Sequence, residues 1–195
     1  MVRNYTSADL LNRVKSLDSY KIIPKDYWLI GVRSNEDTFN TFDDKLYMFR
    51  GERFIMVTSC TTNPGGPSLL GGWRKYNKNG AAVIKSDEWY YASYKYGLHN
   101  RRMPALRQIH PFKYYRDNNN DKKVDETGKI FEGIFNTNLH FNSYSLFDGI
   151  ILPIRNMIGE WSHGCVVCNN KPHYERLITL TKDQPHVSFV LIKEF

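Results

Sequence analysis

Cysteine is scarce in this chain and unevenly placed: Cys60, Cys165 and Cys168 are its only three in 195 residues. An odd count, with two of them three positions apart, does not make the disulfide framework of a small secreted fold and suits a reduced compartment or a reactive thiol. Long apolar runs are missing too. No stretch approaches the roughly 20 residues of a membrane-spanning helix, and the N-terminal MVRNYTSADLLNRVKSL has no apolar h-region. The expectation is a protein made in the cytoplasm, with no signal peptide and no transmembrane segment. No repeat, low-complexity tract or linker divides the sequence, so residues 1–195 read as a single domain. Its 41% hydrophobic and 14% aromatic content is ample for one core.

Acidic residues are outnumbered, 20 against 27 basic ones, for a formal net charge of +7. That excess is compatible with an anionic partner such as a cell wall or an anionic membrane surface. The longest basic runs, however, are pairs such as Arg101-Arg102 and Lys122-Lys123, which also suit a solvated surface. Nucleic acid is not expected as a partner, because no recognition module is present and the aromatic residues are dispersed through strand-like segments.

The pattern along the chain is mainly β with peripheral α-helices. Thr6-x-x-Asp9 caps a first helix with Leu10, Leu11, Val14 and Leu17 on one face. YWLIGVR (Tyr27 to Arg33), KLYMFRG (Lys45 to Gly51) and RFIMVTSC (Arg53 to Cys60) read as strands, the last two as a hairpin turning at Arg50 to Glu52. TTNPGGPSLLGG, Thr61 to Gly72, is dense in turn residues and reads as a loop near a ligand or at the surface. Strand-like pieces recur at AAVIK, WYYASYKY, ALRQIHPFKYY and IFEGIFNTNLHF. A second helix follows Asn170, with Pro172 in its first turn and Tyr174, Leu177, Ile178 and Thr181 on one side, and Gln184-Pro185 stops it. VSFVLIKEF closes the chain as a strand.

Chemistry concentrates at SHGC, Ser162 to Cys165, and at the solitary His140 in IFNTNLHF. A thiol attacks carbonyls as a thiolate, so it needs a base beside it and N–H donors facing the developing oxyanion. Gly164 permits a tight turn in which its own N–H and that of Cys165 converge, while Val166 and Val167 favour a buried strand just after it. His163 lies two residues from the thiol, and His140 would arrive from another strand. A structural role is the alternative for each: an inert buried thiol for Cys165, a core imidazole for His140, a backbone partner for His163.

SHGCVVCN with its upstream histidine resembles the signature of the L,D-transpeptidase (YkuD-type) family, and TTNPGG, YKYGLH and PALRQI bear a looser likeness to phage-encoded relatives. The resemblance rests on roughly Asn138 to Asn169. It implies a β-sandwich in which Cys165 is the nucleophile, His140 the general base, His163 a supporting imidazole, and the Gly164 and Cys165 amides the oxyanion hole. The base would be oriented through the main-chain carbonyl of Phe141, and Ser162 would join the substrate site. The gap from His140 to Ser162 is longer than the family's usual one, which predicts an extra loop over Asn142 to Glu160. The implied partners are peptidoglycan stem peptides, attacked through a Cys thioester without a cofactor. Lytic L,D-endopeptidase or carboxypeptidase action, endolysin-like and at the cell wall after lysis or delivery, is the preferred outcome; crosslinking transpeptidation and a non-catalytic phage structural or wall-binding role are the alternatives.

Other residues carry weaker signals. His99 and the arginines Arg101 and Arg102 could meet a substrate carboxylate. Trp161 and Tyr144 could wall a cleft or fill the core, with core preferred for Trp161. His163, Cys165, Cys168 and His173 resemble the start of a zinc knuckle, but the fourth position falls on Leu177 or Ile178, so no metal is expected; a redox Cys-x-x-Cys lacks its βαβ context. Cys165 and Cys168 could form a silencing disulfide. Asp117, Asn119, Asp121 and Asp125 occupy positions 1, 3, 5 and 9 of a calcium loop, yet Lys122 and Gly128 stand where glycine and a bidentate carboxylate belong, which favours a polar hairpin loop.

Overall fold

The computed structural model describes residues 1–75 and 77–195. Helix α1, Ser7–Lys15, begins at the expected cap: Thr6 accepts from the Asp9 amide at 3.1 Å and the Asp9 carboxylate accepts from the Thr6 amide at 3.2 Å. Leu10, Leu11 and Val14 are buried beneath it.

Eleven strands are present among the described residues. They are β1 (Tyr27–Arg33), β2 (Asp44–Arg50), β3 (Arg53–Thr61), β4 (Ala81–Ile84), β5 (Glu88–His99), β6 (Met103–Gln108), β7 (Phe112–Asp117), β8 (Phe131–Gly133), β9 (Leu139–Phe141), β10 (Val166–Cys168) and β11 (Val187–Lys193). Eight of them close on themselves in the order β1-β11-β5-β6-β9-β10-β3-β2. A mainly β chain was expected, but the two-sheet sandwich gives way to a closed barrel. The closure comes from β1, which pairs with β2 on one side and in parallel with the C-terminal β11 on the other, leaving no edge. The β2–β3 hairpin turns at Gly51, whose φ of 54° favours glycine.

Alternation along the strands divides the core in two. Leu29, Leu46, Met48, Phe189 and Leu191 face one cluster, into which helix α3, Lys171–Thr181, sets Tyr174, Leu177 and Ile178. Trp28, Ile30, Val32, Tyr47 and Phe49 face the other, under α1. Thus α1 is peripheral as expected, whereas α3 is not: its apolar face is part of the barrel's own core, tied by the Tyr174 hydroxyl to the carbonyls of Pro104 and Leu139.

The remaining strands form a small sheet, β4-β7-β8. Two of the expected strand segments are each broken to make it. ALRQIHPFKYY divides at His110-Pro111, where proline supplies no N–H to continue a ladder, and IFEGIFNTNLHF divides between β8 and β9. The amide of Gln108 holds both breaks, donating to the carbonyls of His110 and Gly133 and accepting from the amides of Phe135 and Thr137.

Arg33 joins this sheet to the barrel. From β1 its guanidinium donates to the Ile84 carbonyl of β4 at 2.9 Å, to Thr62, and to Glu126. Burial pushes the Glu126 pKa up, but the charge of Arg33 and the hydrogen bonds from Ser86 outweigh it, holding the carboxyl below its ordinary value.

Thr61 to Gly72, expected as a loop near a ligand or at the surface, lies against the SHGC segment instead of at the surface. It contains the short helix α2, Gly66–Leu69, and Thr61 through Gly66 are buried. The Gly65 amide donates to the Ser162 carbonyl at 2.8 Å, and a Cβ on Gly65 would lie 2.0 Å from the Gly159 carbonyl. The segment is therefore a support for SHGC. Residues 142–158 hold no helix or strand, as the extra loop predicted; within them Ile151 is 94% exposed.

Candidate active site

Strand β10 lies parallel to β9, with Val166 opposite Leu139, Val167 opposite His140 and Cys168 opposite Phe141. Leu139, Phe141, Val166 and Cys168 point into the inner cluster. The intervening residues must face the other way, and Val167 and Cys165 do, packing with Phe42, Ile158 and Trp161. His140 shares that outer face with Cys165, as a diagonal neighbour on the adjacent strand.

The same alternation separates the two neighbouring thiols. Cys165 opens toward solvent, while Cys168 is fully buried among apolar side chains opposite Cys60. The Cys165–Cys168 disulfide is accordingly not formed, and the two sulfurs lie on opposite faces of one strand, which leaves neither a bridge nor a shared metal within reach.

His140 is 1% exposed. Its Nδ1 lies 2.8 Å from the Phe141 carbonyl. A carbonyl only accepts, so Nδ1 carries the proton and Nε2 holds a lone pair; Nε2 makes no hydrogen bond among the described residues. Desolvation drives the His140 pKa down to about 3, with the charge of His99 adding to the effect and the Phe141 and Trp161 carbonyls opposing it. Burial likewise pushes the Cys165 thiol up to about 11, against the Asn138 amide, which favours the thiolate. The resting pair is thus a neutral thiol and a neutral imidazole.

A direct consequence is open to measurement. With a pKa of about 11, the thiolate fraction at pH 7 is on the order of one in ten thousand. Alkylation of Cys165 by iodoacetamide is expected to be slow at pH 7 and to rise about tenfold per pH unit toward pH 10. A rate that levels off near neutrality would instead reveal a preformed thiolate.

The SHGC loop is held by its serine. Ser162 Oγ lies 2.9 Å from the Asn63 carbonyl and 2.8 Å from the Cys165 carbonyl, sharing one hydrogen between them, and accepts from the Gly164 amide at 3.3 Å. Ser162 is fully buried. It was expected to join the substrate site and instead organises the loop, while Phe141 turns its ring into the core and offers its carbonyl to His140. Gly164 adopts φ of 126°, and a Cβ there would lie 2.6 Å from the Ala82 carbonyl of β4. The Gly164 N–H is engaged by Ser162, whereas the Cys165 N–H makes no hydrogen bond among the described residues.

A cavity of about 1000 Å³ opens between the barrel and the small sheet, and Cys165, His163 and Gly164 line it. His163 is half-buried; burial lowers its pKa, Glu160 acts to raise it, and Lys75 to lower it further. Trp161 and Tyr144 also line the cavity, in edge-to-face contact at 5.3 Å, so Trp161, which packs against the core as expected, also walls the cleft.

His99 enters the site in an unforeseen way. Its ring stacks on His140 at 4.1 Å and 16°. Its two ring nitrogens meet side-chain amides on either side, Nδ1 the Asn138 amino group at 3.0 Å, whose Oδ1 accepts from Gln108 N–H at 3.1 Å, and Nε2 the Asn100 side chain at 3.0 Å. Arg101 stands in the exposed turn after β5, away from the cavity lining, and Arg102 lies over the Tyr144 ring at 4.8 Å.

Several site residues escaped sequence reasoning: Thr137, whose hydroxyl bonds the Gly164 carbonyl at 2.5 Å; Asn136, whose carbonyl accepts from Cys165 Sγ at 3.6 Å; and Tyr94, a buried phenol whose pKa is pushed well up, chiefly by burial and further by Cys165. No local motif marks them, since they meet the thiol only through the strand register.

Neither metal signal assembles. Among the described residues no three His, Cys, Asp or Glu side chains are grouped to hold an ion. In the segment after β7, Asn119 donates to both Asp121 and Asp125, and the Asp117 carboxylate accepts from the Asp125 amide, so the carboxylates that suggested calcium are bound to their own loop.

No protein-family model matches the chain, and no characterised relative matches it by sequence. Among solved structures, the helical cell shape determining protein Pgp2 from Campylobacter jejuni is similar at a TM-score of 0.36 and 11% sequence identity, over 97% of this chain and 56% of that one. The chain therefore spans a little over half the length of that protein's structure. No described helix is long and apolar enough to cross a membrane.

Proposed function

We propose that this protein is a cysteine enzyme that cleaves peptidoglycan stem peptides through a Cys165 thioester, as an L,D-endopeptidase or carboxypeptidase. The observation that carries the reading is His140 on the strand beside Cys165: Nδ1–H rests on the Phe141 carbonyl and Nε2 has no hydrogen-bond partner among the described residues, so the Cys165 Sγ–H, directed at the Asn136 carbonyl, has to turn from it to reach that base. The substrate class comes from the resemblance of SHGCVVCN, and places the action at the cell wall, after lysis or delivery.

With thiol and imidazole both neutral, proton transfer accompanies attack. Nε2 takes the Sγ proton as sulfur adds to the carbonyl of a diamino-acid residue in the stem peptide, and the Cys165 amide receives the oxyanion. Collapse breaks the C–N bond, the leaving amine takes the proton from Nε2, and a thioester remains. Water, deprotonated by the same Nε2, then adds to the thioester carbonyl; the C–S bond breaks, the acid is released, and Nε2 returns the proton to Sγ. Hydrolysis is preferred over transfer to a second amine because the cavity is open and lined in part by polar groups, which leaves water a path to the thioester.

Digestion of purified sacculi tests this. The wild-type protein is expected to release shortened or unlinked stem peptides, the Cys165→Ala variant none, and a carbapenem, which acylates enzymes of the resembled family, is expected to add to Cys165 and to neither Cys60 nor Cys168. New crosslinks without released peptides would make the protein a transpeptidase. Unchanged sacculi together with an unmodified Cys165 would remove the catalytic reading.

A further inference from the structure

The cavity beside Cys165 carries two charges of opposite sign that no ion pair among the described residues neutralises. One is Arg116, on β7. It lies directly across from Ala82 of β4, and the Ala82 carbonyl is the atom that a Cβ on Gly164 would meet first, at 2.6 Å. The arginine backbone is thus one strand away from the contact that seats the nucleophile loop. Its guanidinium stacks over the Tyr114 ring at 4.8 Å and donates through Nη1 to the Gly80 carbonyl at 2.9 Å. Those contacts fix the plane of the group and leave donors for a ligand.

The other charge is Glu160, in the 3-10 turn Gly159–Trp161 that leads into SHGC. It is exposed and lines the same cavity, and its field reaches His163. Between them the wall is aromatic, from Tyr114, Phe135 and Trp161, which weakens solvent screening of both charges.

We infer that Arg116 and Glu160 are specificity-determining residues that select a peptide bearing both a carboxylate and an ammonium group close to the scissile carbonyl. The inference rests on the stem-peptide reading and refines it. The ammonium is the free side-chain amine of the donor residue. The carboxylate has two sources, the side chain of a diamino-dicarboxylic donor residue or the C-terminus of the leaving amino acid, and Arg116 recognises the chemistry they share. A lysine at the donor position would satisfy Glu160 and leave Arg116 without its side-chain ligand.

Binding in a background without turnover tests the inference. In Cys165→Ala protein, calorimetry would compare a stem tetrapeptide with three derivatives: side-chain carboxylate amidated, C-terminus amidated, and amine acetylated. One of the two amidations, and the acetylation, are expected to weaken binding by about tenfold to a hundredfold, the usual worth of a hydrogen-bonded charge. Adding Arg116→Gln should erase the amidation difference alone, Arg116→Lys should retain part of it, and Glu160→Gln should erase the acetylation difference alone. Equal weakening of all four peptides by either glutamine variant, or no preference among them, would overturn the inference, as would failure of all four to bind.

Its fate is separable from that of the catalytic reading. A charge preference in binding, with no turnover and no adduct on Cys165 in the wild-type protein, would sink the catalysis and leave the selection standing. Turnover without charge preference would do the reverse.

Discussion

His140→Gln is expected to reduce kcat on stem peptides by roughly 10²- to 10⁴-fold at pH 7, the usual contribution of a positioned general base. The loss should shrink with pH in a defined way. A thiol with a pKa of about 11 ionises unaided as alkali is added, so the variant's rate should climb about tenfold per pH unit from pH 7 to about pH 9.5. The wild-type protein should behave differently at the acid end. With its pKa near 3, His140 remains an unprotonated base down to about pH 4, so activity should not fall between pH 7 and pH 5 as it would for an ordinary imidazole. Stopped assays on a fluorogenic stem peptide across that range would check both limbs. If His163→Gln, and not His140→Gln, produced the larger loss and the alkaline recovery, the base would be the cavity-lining imidazole.

The second large effect is expected at Gly164. Alanine there would have to adopt φ of 126° with its Cβ 2.6 Å from the Ala82 carbonyl, a backbone atom held in the β4–β7 ladder. Strain of this kind costs about 1–3 kcal/mol before the contact is counted, so a total of about 2–4 kcal/mol is expected. For a chain of this size each kcal/mol lowers Tm by about 2–4 °C. A thermal melt should therefore fall by roughly 5–15 °C, and because the same shift moves the Cys165 amide and thiol, activity should fall further than stability explains. A melt within 1 °C or so of the wild-type value would show that the loop relaxes freely.

The helices and the hairpin were legible because their signals are local. Thr6 and Asp9 meet within one turn, and Tyr174, Leu177, Ile178 and Thr181 recur at helical spacing, so both are written in consecutive residues. The barrel was not, since its closure depends on β1 pairing with β11 across more than 150 positions, and no residue in either strand announces its partner. The breaks at Gln108 to Pro111 and at Asn136 to Asn138 were missed for a related reason. β-rich residues run through them, and what bends the chain is the Gln108 amide, whose acceptors and donors lie on segments far apart in sequence.

The candidate site divides along the same line. Cys165 and Gly164 were marked by the four letters SHGC, and the Phe141 carbonyl by what the family resemblance implies. His99 was marked by its chemistry and given a different task, as a substrate contact, because stacking on His140 requires β5, β6 and β9 to be side by side. Ser162 was misread for the opposite reason: its neighbour in sequence is a catalytic loop, but its hydroxyl points inward to Asn63.

The small sheet is tied to the barrel twice, by Arg33 reaching from β1 to Ile84 and Glu126, and by Ala82 packing against Gly164. These ties oppose a hinge motion of the sheet against the barrel. Loading the cleft is a matter of threading, without a closing motion to commit the ligand, so capture and escape follow one path and association should show a single kinetic phase. The bending needed for a fit then falls on the flexible peptide, and whatever tethers that peptide sets how readily it can reach the thiol.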